Sequence, residues 1–64
     1  MKVYHLTYDH QLEPQDYGLF NSLEKAENYL KNTLRVDVSS PTVYYEGILR
    51  IYKGEYRIEE KRVG

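Results

Sequence analysis

The side chains able to do chemistry are few and scattered. His5 and His10 are the only histidines, and Asp9, Glu13 and Asp16 lie near His10 in the chain. Imidazole with carboxylates can hold a metal, but this spacing matches no recognised ligand pattern, and the stretch reads as a solvated loop with no metal site. The absence of cysteine removes disulfides and thiolate zinc sites. Glu59 and Glu60 are neighbours in a strand pattern, so they point to opposite faces and cannot act together as acid and base. Glu24 and Glu27 fall on one helix surface, where they favour the positive end of the dipole. Ser22, Ser39 and Ser40 have no histidine placed to activate them. Gly18, Gly47, Gly54 and Gly64 are too dispersed to cradle a phosphate. A chain this short also has little room for a concavity of roughly 300 Å3, the lower end of the ligand-pocket range. The expectation is a non-enzymatic protein that needs no cofactor.

Tyrosine is the conspicuous residue, at eight of 64 positions, with one Phe and no Trp. A tyrosine ring buries a large apolar area while its hydroxyl tolerates water, which suits a small core and also a binding surface. Which role each tyrosine takes depends on the elements that carry it.

Lys2 to Tyr8 alternates Tyr4, Leu6 and Tyr8 against Val3, His5 and Thr7, the period of a strand. Asp9 to Asp16 is polar and contains Pro14, a loop, and Tyr17 to Phe20 resumes as a short strand. Asn21 or Ser22 then caps a helix. Leu23, Ala26, Leu30 and Leu34 recur at helical spacing, widened by Tyr29 and Thr33. Val36 to Pro41 stops the helix, because β-branched residues, two serines and a proline all oppose continuation. Thr42 to Tyr52 reads as one long strand and Tyr56 to Arg62 as another, joined by a tight Lys53-Gly54 turn. The predicted fold is a single small α+β domain over residues 1–64, ordered β-β-α-β-β, with an antiparallel sheet and one helix on one face.

A two-residue turn would pair Tyr52 with Glu55, Ile51 with Tyr56 and Leu49 with Ile58. That register puts Val43, Tyr45, Leu49, Ile51, Tyr56 and Ile58 on one face. Tyr44, Glu46, Ile48, Arg50, Tyr52, Arg57, Glu59 and Lys61 take the other. The predicted core combines Leu6, Leu30, Leu34, Leu49, Ile51 and Ile58. One helix covers one face of a sheet, so the other is left to solvent. On it Tyr44, Ile48 and Tyr52 would form a ridge beside Arg50 and Arg57, and these five are the candidate partner-binding residues, since Arg and Tyr dominate interface hot spots. The edge strands offer a competing mode, pairing with a partner strand or a second copy.

Charge narrows the partners. Nine Lys and Arg stand against ten Asp and Glu, a net charge of −1 with both signs interspersed. That balance gives no attraction toward phosphates, and Glu46, Glu55 and Glu59 lie among the arginines, so nucleic acid is not the expected ligand. Single-stranded nucleic acid stacked on the Tyr/Arg face is kept as the alternative. No apolar run approaches the roughly 20 residues that span a bilayer, and the chain enters a strand pattern without a signal-peptide core. A cytoplasmic location with no membrane partner is expected.

The segments K-V-Y-H-L-T-Y and Y-G-L-F-N-S-L-E-K-A-E resemble a group of small uncharacterised proteins of bacteriophages and Gram-positive bacteria. Those proteins open with a K-V-Y-x-L strand and enter their helix through a G-x-F/Y-S-S-x-E-x-A-E segment. The resemblance covers the first half of the chain and carries strand and cap signals, with no catalytic residue to transfer. It implies a phage-type accessory protein that binds and modulates a host or defence protein. A structural homodimer is the further alternative.

Overall fold

A computed structural model describes residues 1–63. The elements run β1 (Lys2–Tyr8), β2 (Gln15–Phe20), α1 (Leu23–Asn32), β3 (Thr42–Tyr44), a 3-10 turn (Tyr45–Gly47), β4 (Leu49–Tyr52) and β5 (Tyr56–Arg62). The strands form one sheet in the order β2-β1-β5-β4-β3, antiparallel throughout. This is the small α+β domain expected, but it differs in detail, first in its third strand. Thr42–Tyr52 is not one strand: it folds back on itself, Thr42 pairing with Ile51 and Tyr44 with Leu49.

The break lies at Tyr45, Glu46 and Gly47, whose φ angles are 52, 58 and 92°. Three successive left-handed residues reverse the chain, and Ile48 N–H closes the turn on the Tyr45 carbonyl at 3.2 Å. Glycine reaches such angles freely, whereas Tyr45 and Glu46 reach them at a cost. Glu46-Gly47 is thus a hairpin turn, of the same X-Gly kind as Lys53-Gly54, where φ is 53 and 71°.

The helix begins as its sequence dictates. Ser22 is the cap, its Oγ accepting from the Lys25 N–H at 3.1 Å. It ends earlier than the leucine stripe implies. Arg35 takes φ 59°, and the Val36 N–H turns back to the Leu30 carbonyl at 2.9 Å. That reversal drives Val36 into the core, where it is buried beside Leu6, Ala26, Leu30, Tyr52 and Ile58. The sequence pattern assigns Val36 to the link after the helix; the structure corrects this and places it in the core. Leu34 only packs against the core's margin.

Two irregularities decide which faces the side chains take. In β2, Leu6 opposes Gly18 while Thr7 opposes Asp16, so Tyr17 is an extra, bulged residue. Gly18, at φ 95°, makes the bulge possible. The bulge delivers Tyr17 to the helix side, 5.7 Å between ring centroids from Tyr29, which also meets Phe20 at 5.5 Å. The second irregularity is at Glu55. Its N–H does close a turn on the Tyr52 carbonyl, at 3.2 Å, but Tyr52 then pairs with Tyr56, leaving Glu55 as a third loop residue.

The β4–β5 register is therefore Leu49 with Glu59, Arg50 with Ile58 and Ile51 with Arg57. It is one residue away from the register that a two-residue loop predicts. Because side chains alternate with period two, the slip exchanges the faces of β4. Tyr52 and Arg50 go to the helix side with Ile58, while Leu49 and Ile51 go to the helix-free side with Arg57 and Glu59. Tyr52 is 1% exposed, and its hydroxyl donates to Glu27 Oε2 at 2.9 Å. Burial raises its pKa strongly, and the Glu27 hydrogen bond adds to this.

Candidate functional site

The helix packs on β1 and β2 at one end of the sheet. The β3–β4 hairpin projects at the other. Around it Val43, Tyr44, Tyr45 and Ile48 are 51, 47, 73 and 45% exposed. These are four of the eight exposed large hydrophobic residues among those described, and they fall within six consecutive positions. Tyr44 lies on the helix-free face beside Leu49, Val43 on the opposite face beside Arg50, and Tyr45 and Ile48 flank the turn. The rings of Tyr44 and Tyr45 stand 6.3 Å apart. The apolar surface thus wraps around the hairpin's end.

Of the five candidate partner-binding residues, Tyr44 and Ile48 belong to this surface. Tyr52 does not: it is buried under the helix. Arg50 is half-buried and donates from Nη1 to the Gly47 carbonyl, which ties down the turn. Arg57 lies on the helix-free face two strands away from Tyr44, and its nearest acid is Asp9, at 3.9 Å. Arg50 and Arg57 do not face each other, since Arg50 opposes Ile58 and Ile51 opposes Arg57. The expected single ridge of Tyr44, Ile48 and Tyr52 with its arginines is therefore not assembled, nor is the Tyr/Arg stacking platform that a nucleic-acid strand would use. The residues missed were Val43 and Tyr45. The adjacent Glu46-Gly47 pair was the available signal, because an X-Gly pair inside a strand pattern marks a turn whose neighbours sit at a tip.

Beyond Leu49, which is buried, and the half-buried Ile51, the helix-free face of β1 and β5 is mostly polar. His5 Nε2 meets Asp16 Oδ1 at 2.9 Å, and the same oxygen accepts from the Gly18 N–H at 2.8 Å. These two bonds, the His5 one first, hold the Asp16 carboxyl below the usual carboxylate range. Lys61 pairs with Glu59 at 3.6 Å. A depression of about 320 Å3 lies at this end, lined by Thr7, Tyr8, Asp9, Pro14, Gln15, Asp16 and Arg57. A smaller one of about 170 Å3 is lined by His5, Thr7, Arg57 and Glu59. The chain thus has more concavity than its length led us to expect. Both hollows are open and shaped by exposed ion-pairing side chains. Tyr8 donates to Glu55 Oε2 at 2.9 Å, which raises its pKa, and its ring stacks on His10 at 5.5 Å and meets Tyr56 at 4.8 Å. Among the described residues no group of three or more His, Asp or Glu side chains is arranged to hold a metal ion. No helix of the described chain is long and apolar enough to cross a membrane.

No protein-family model matches this chain, and searches of curated proteins and of solved structures return no significant match.

Proposed function

We propose that this chain is a non-enzymatic protein-binding module whose contact surface is the end of the β3–β4 hairpin. The observation that carries this reading is the pairing of exposure with strain. Tyr44, Tyr45 and Ile48 are held in water by a turn with two non-glycine residues in left-handed conformation. Such conformations cost free energy and cluster where a surface has work to do. Exposed tyrosines on a rigid tip lose little conformational entropy on binding. The resemblance of the first half of the chain to small phage and Gram-positive proteins supplies the setting: an accessory protein, cytoplasmic, that binds a host or defence protein.

The test is affinity capture from nuclease-treated host lysate with the wild type and with a Tyr44→Ala/Tyr45→Ala/Ile48→Ala variant. A protein retained by the wild type and lost by a folded variant is the expected result. Equal retention by both, or capture abolished by nuclease in the wild type, would overturn the assignment.

A further inference from the structure

The outer edge of β3 carries a second feature, in the backbone. Glu60 N–H donates to the Ile48 carbonyl at 2.7 Å, so residues 48 and 60 form a hydrogen-bonded pair of the β4–β5 ladder. Hydrogen-bonded and non-bonded pairs alternate along an antiparallel ladder. Arg50 therefore bonds toward β5, while Leu49 and Ile51 bond toward β3. Their partners Tyr44 and Thr42 bond inward, and the Val43 N–H and C=O are left pointing outward at the free edge.

The two edges of the sheet differ sharply. The β2 edge is blunted by the Tyr17 bulge, the Asp16 charge and Pro14 just before it. The β3 edge has no bulge, and Val38 to Tyr45 (V-S-S-P-T-V-Y-Y) carries no charge, in a chain that is 30% charged. Proteins protect an edge with charge, a bulge, a proline or a very short strand, and this edge has only its three-residue length and Pro41. Without charge or bulge, an edge centred on one outward valine is self-complementary about a two-fold axis.

We infer that β3 pairs antiparallel with β3 of a second copy, Val43 opposite Val43, to give a continuous ten-stranded sheet. Val43 N–H and C=O of each copy exchange two hydrogen bonds. Thr42 then opposes Tyr44 of the other copy, and no like charges meet. An isologous contact requires this match of a patch with itself. Pro41, at the next outward position, has no N–H to give and ends the ladder there. The contact is consequently short and belongs to the weak class of interfaces, populated at high protein concentration. Antiparallel pairing places the apolar hairpin ends of the two copies at opposite ends of the shared strand pair, so the contact is separate from the proposed binding surface and does not depend on it.

Sedimentation velocity from micromolar to millimolar protein should show the mass rising from 7.7 kDa toward twice that value. Val43→Pro removes only an outward donor and spares the β3–β4 bonds, so it should hold the protein monomeric. Leu19→Pro, on the opposite edge, should leave association unchanged. Should Val43→Pro fail to fold, amide exchange in the wild type decides: the Val43 N–H should exchange freely when dilute and become at least tenfold slower when concentrated. A monomer throughout the range, a dimer indifferent to Val43→Pro, or a Val43 amide exchanging equally fast at both concentrations would overturn the inference. Loss of partner capture in the triple alanine variant with association intact would separate the two surfaces.

Discussion

The two ends of the sheet are built on opposite terms. At the β1–β2 end the helix lies on the strands, Tyr17, Phe20 and Tyr29 pack ring to ring, and the edge is bulged and charged. At the β3–β4 end the helix reaches only Tyr52 of β4, the side chains of Val43, Tyr44, Tyr45 and Ile48 face water, and the edge is uncharged. A 10-residue helix spans about 15 Å, less than the width of five strands set about 4.8 Å apart. One short helix cannot serve both ends. The same residue type therefore does different things at each: Tyr52 and Tyr17 stabilise the domain, whereas Tyr44 and Tyr45 are free to contact something else.

The sharpest way to break this contrast is to truncate a tyrosine from each group. Tyr52→Ala removes a buried ring and should cost about 3–5 kcal/mol in urea unfolding, enough to unfold much of so small a domain. If its midpoint moved no more than that of Tyr44→Ala, the register derived for β4 and β5 would be wrong. Leu30→Ala should cost about 2–5 kcal/mol by leaving a cavity between the helix and the sheet. A shift no larger than that of Lys31→Ala, on the exposed side of the helix, would refute the helix's orientation.

Smaller effects sharpen the comparison. Glu46→Asn places a residue tolerant of left-handed φ before Gly47 and should stabilise the domain by about 0.5–1 kcal/mol, visible as a higher Tm. A lower Tm would mean the turn is not strained as described. Asp16 probes the opposite end through pH. Its folded pKa lies below the unfolded value, so its contribution is present at neutral pH and is lost as pH falls through the carboxylate range. Asp16→Asn should flatten the acid limb of the stability curve and leave the alkaline limb unchanged, measured as Tm against pH. Tyr52 works the other way. Its raised pKa means that its contribution holds below about pH 10 and is lost as pH rises above that, a loss that Tyr52→Phe should reduce. The smallest effect belongs to the uncovered end: Tyr45→Ala should change stability by only about 0.5 kcal/mol in either direction while weakening partner capture.

Much of this was legible from local chemistry. The alternation of Lys2 to Tyr8, the Ser22 cap and the left-handed Lys53-Gly54 turn each depend on a few neighbouring residues, and each is present. The exposure of Tyr44 and Ile48 is legible too, whereas that of Val43 and Tyr45, which the two-residue-loop register puts on the core face, is not. The register of the last hairpin was not legible. Two- and three-residue loops around the same Lys53-Gly54 turn differ by a single residue, and local propensity separates them poorly. The choice falls to tertiary fit. In the observed register Tyr52 fills the space under the helix and finds Glu27 for its hydroxyl, while Glu55 offers its carbonyl to the Asp9 N–H at 2.8 Å. Val36 is the same case: β-branched and past the helix, it looks like linker until the reversal at Arg35 puts it against Leu30. Sequence determined the elements because helices, caps and turns are satisfied within a few residues. Only the folded chain decided which tyrosines are core, because a side chain's face depends on contacts between residues far apart in sequence, and a one-residue change of register reverses it.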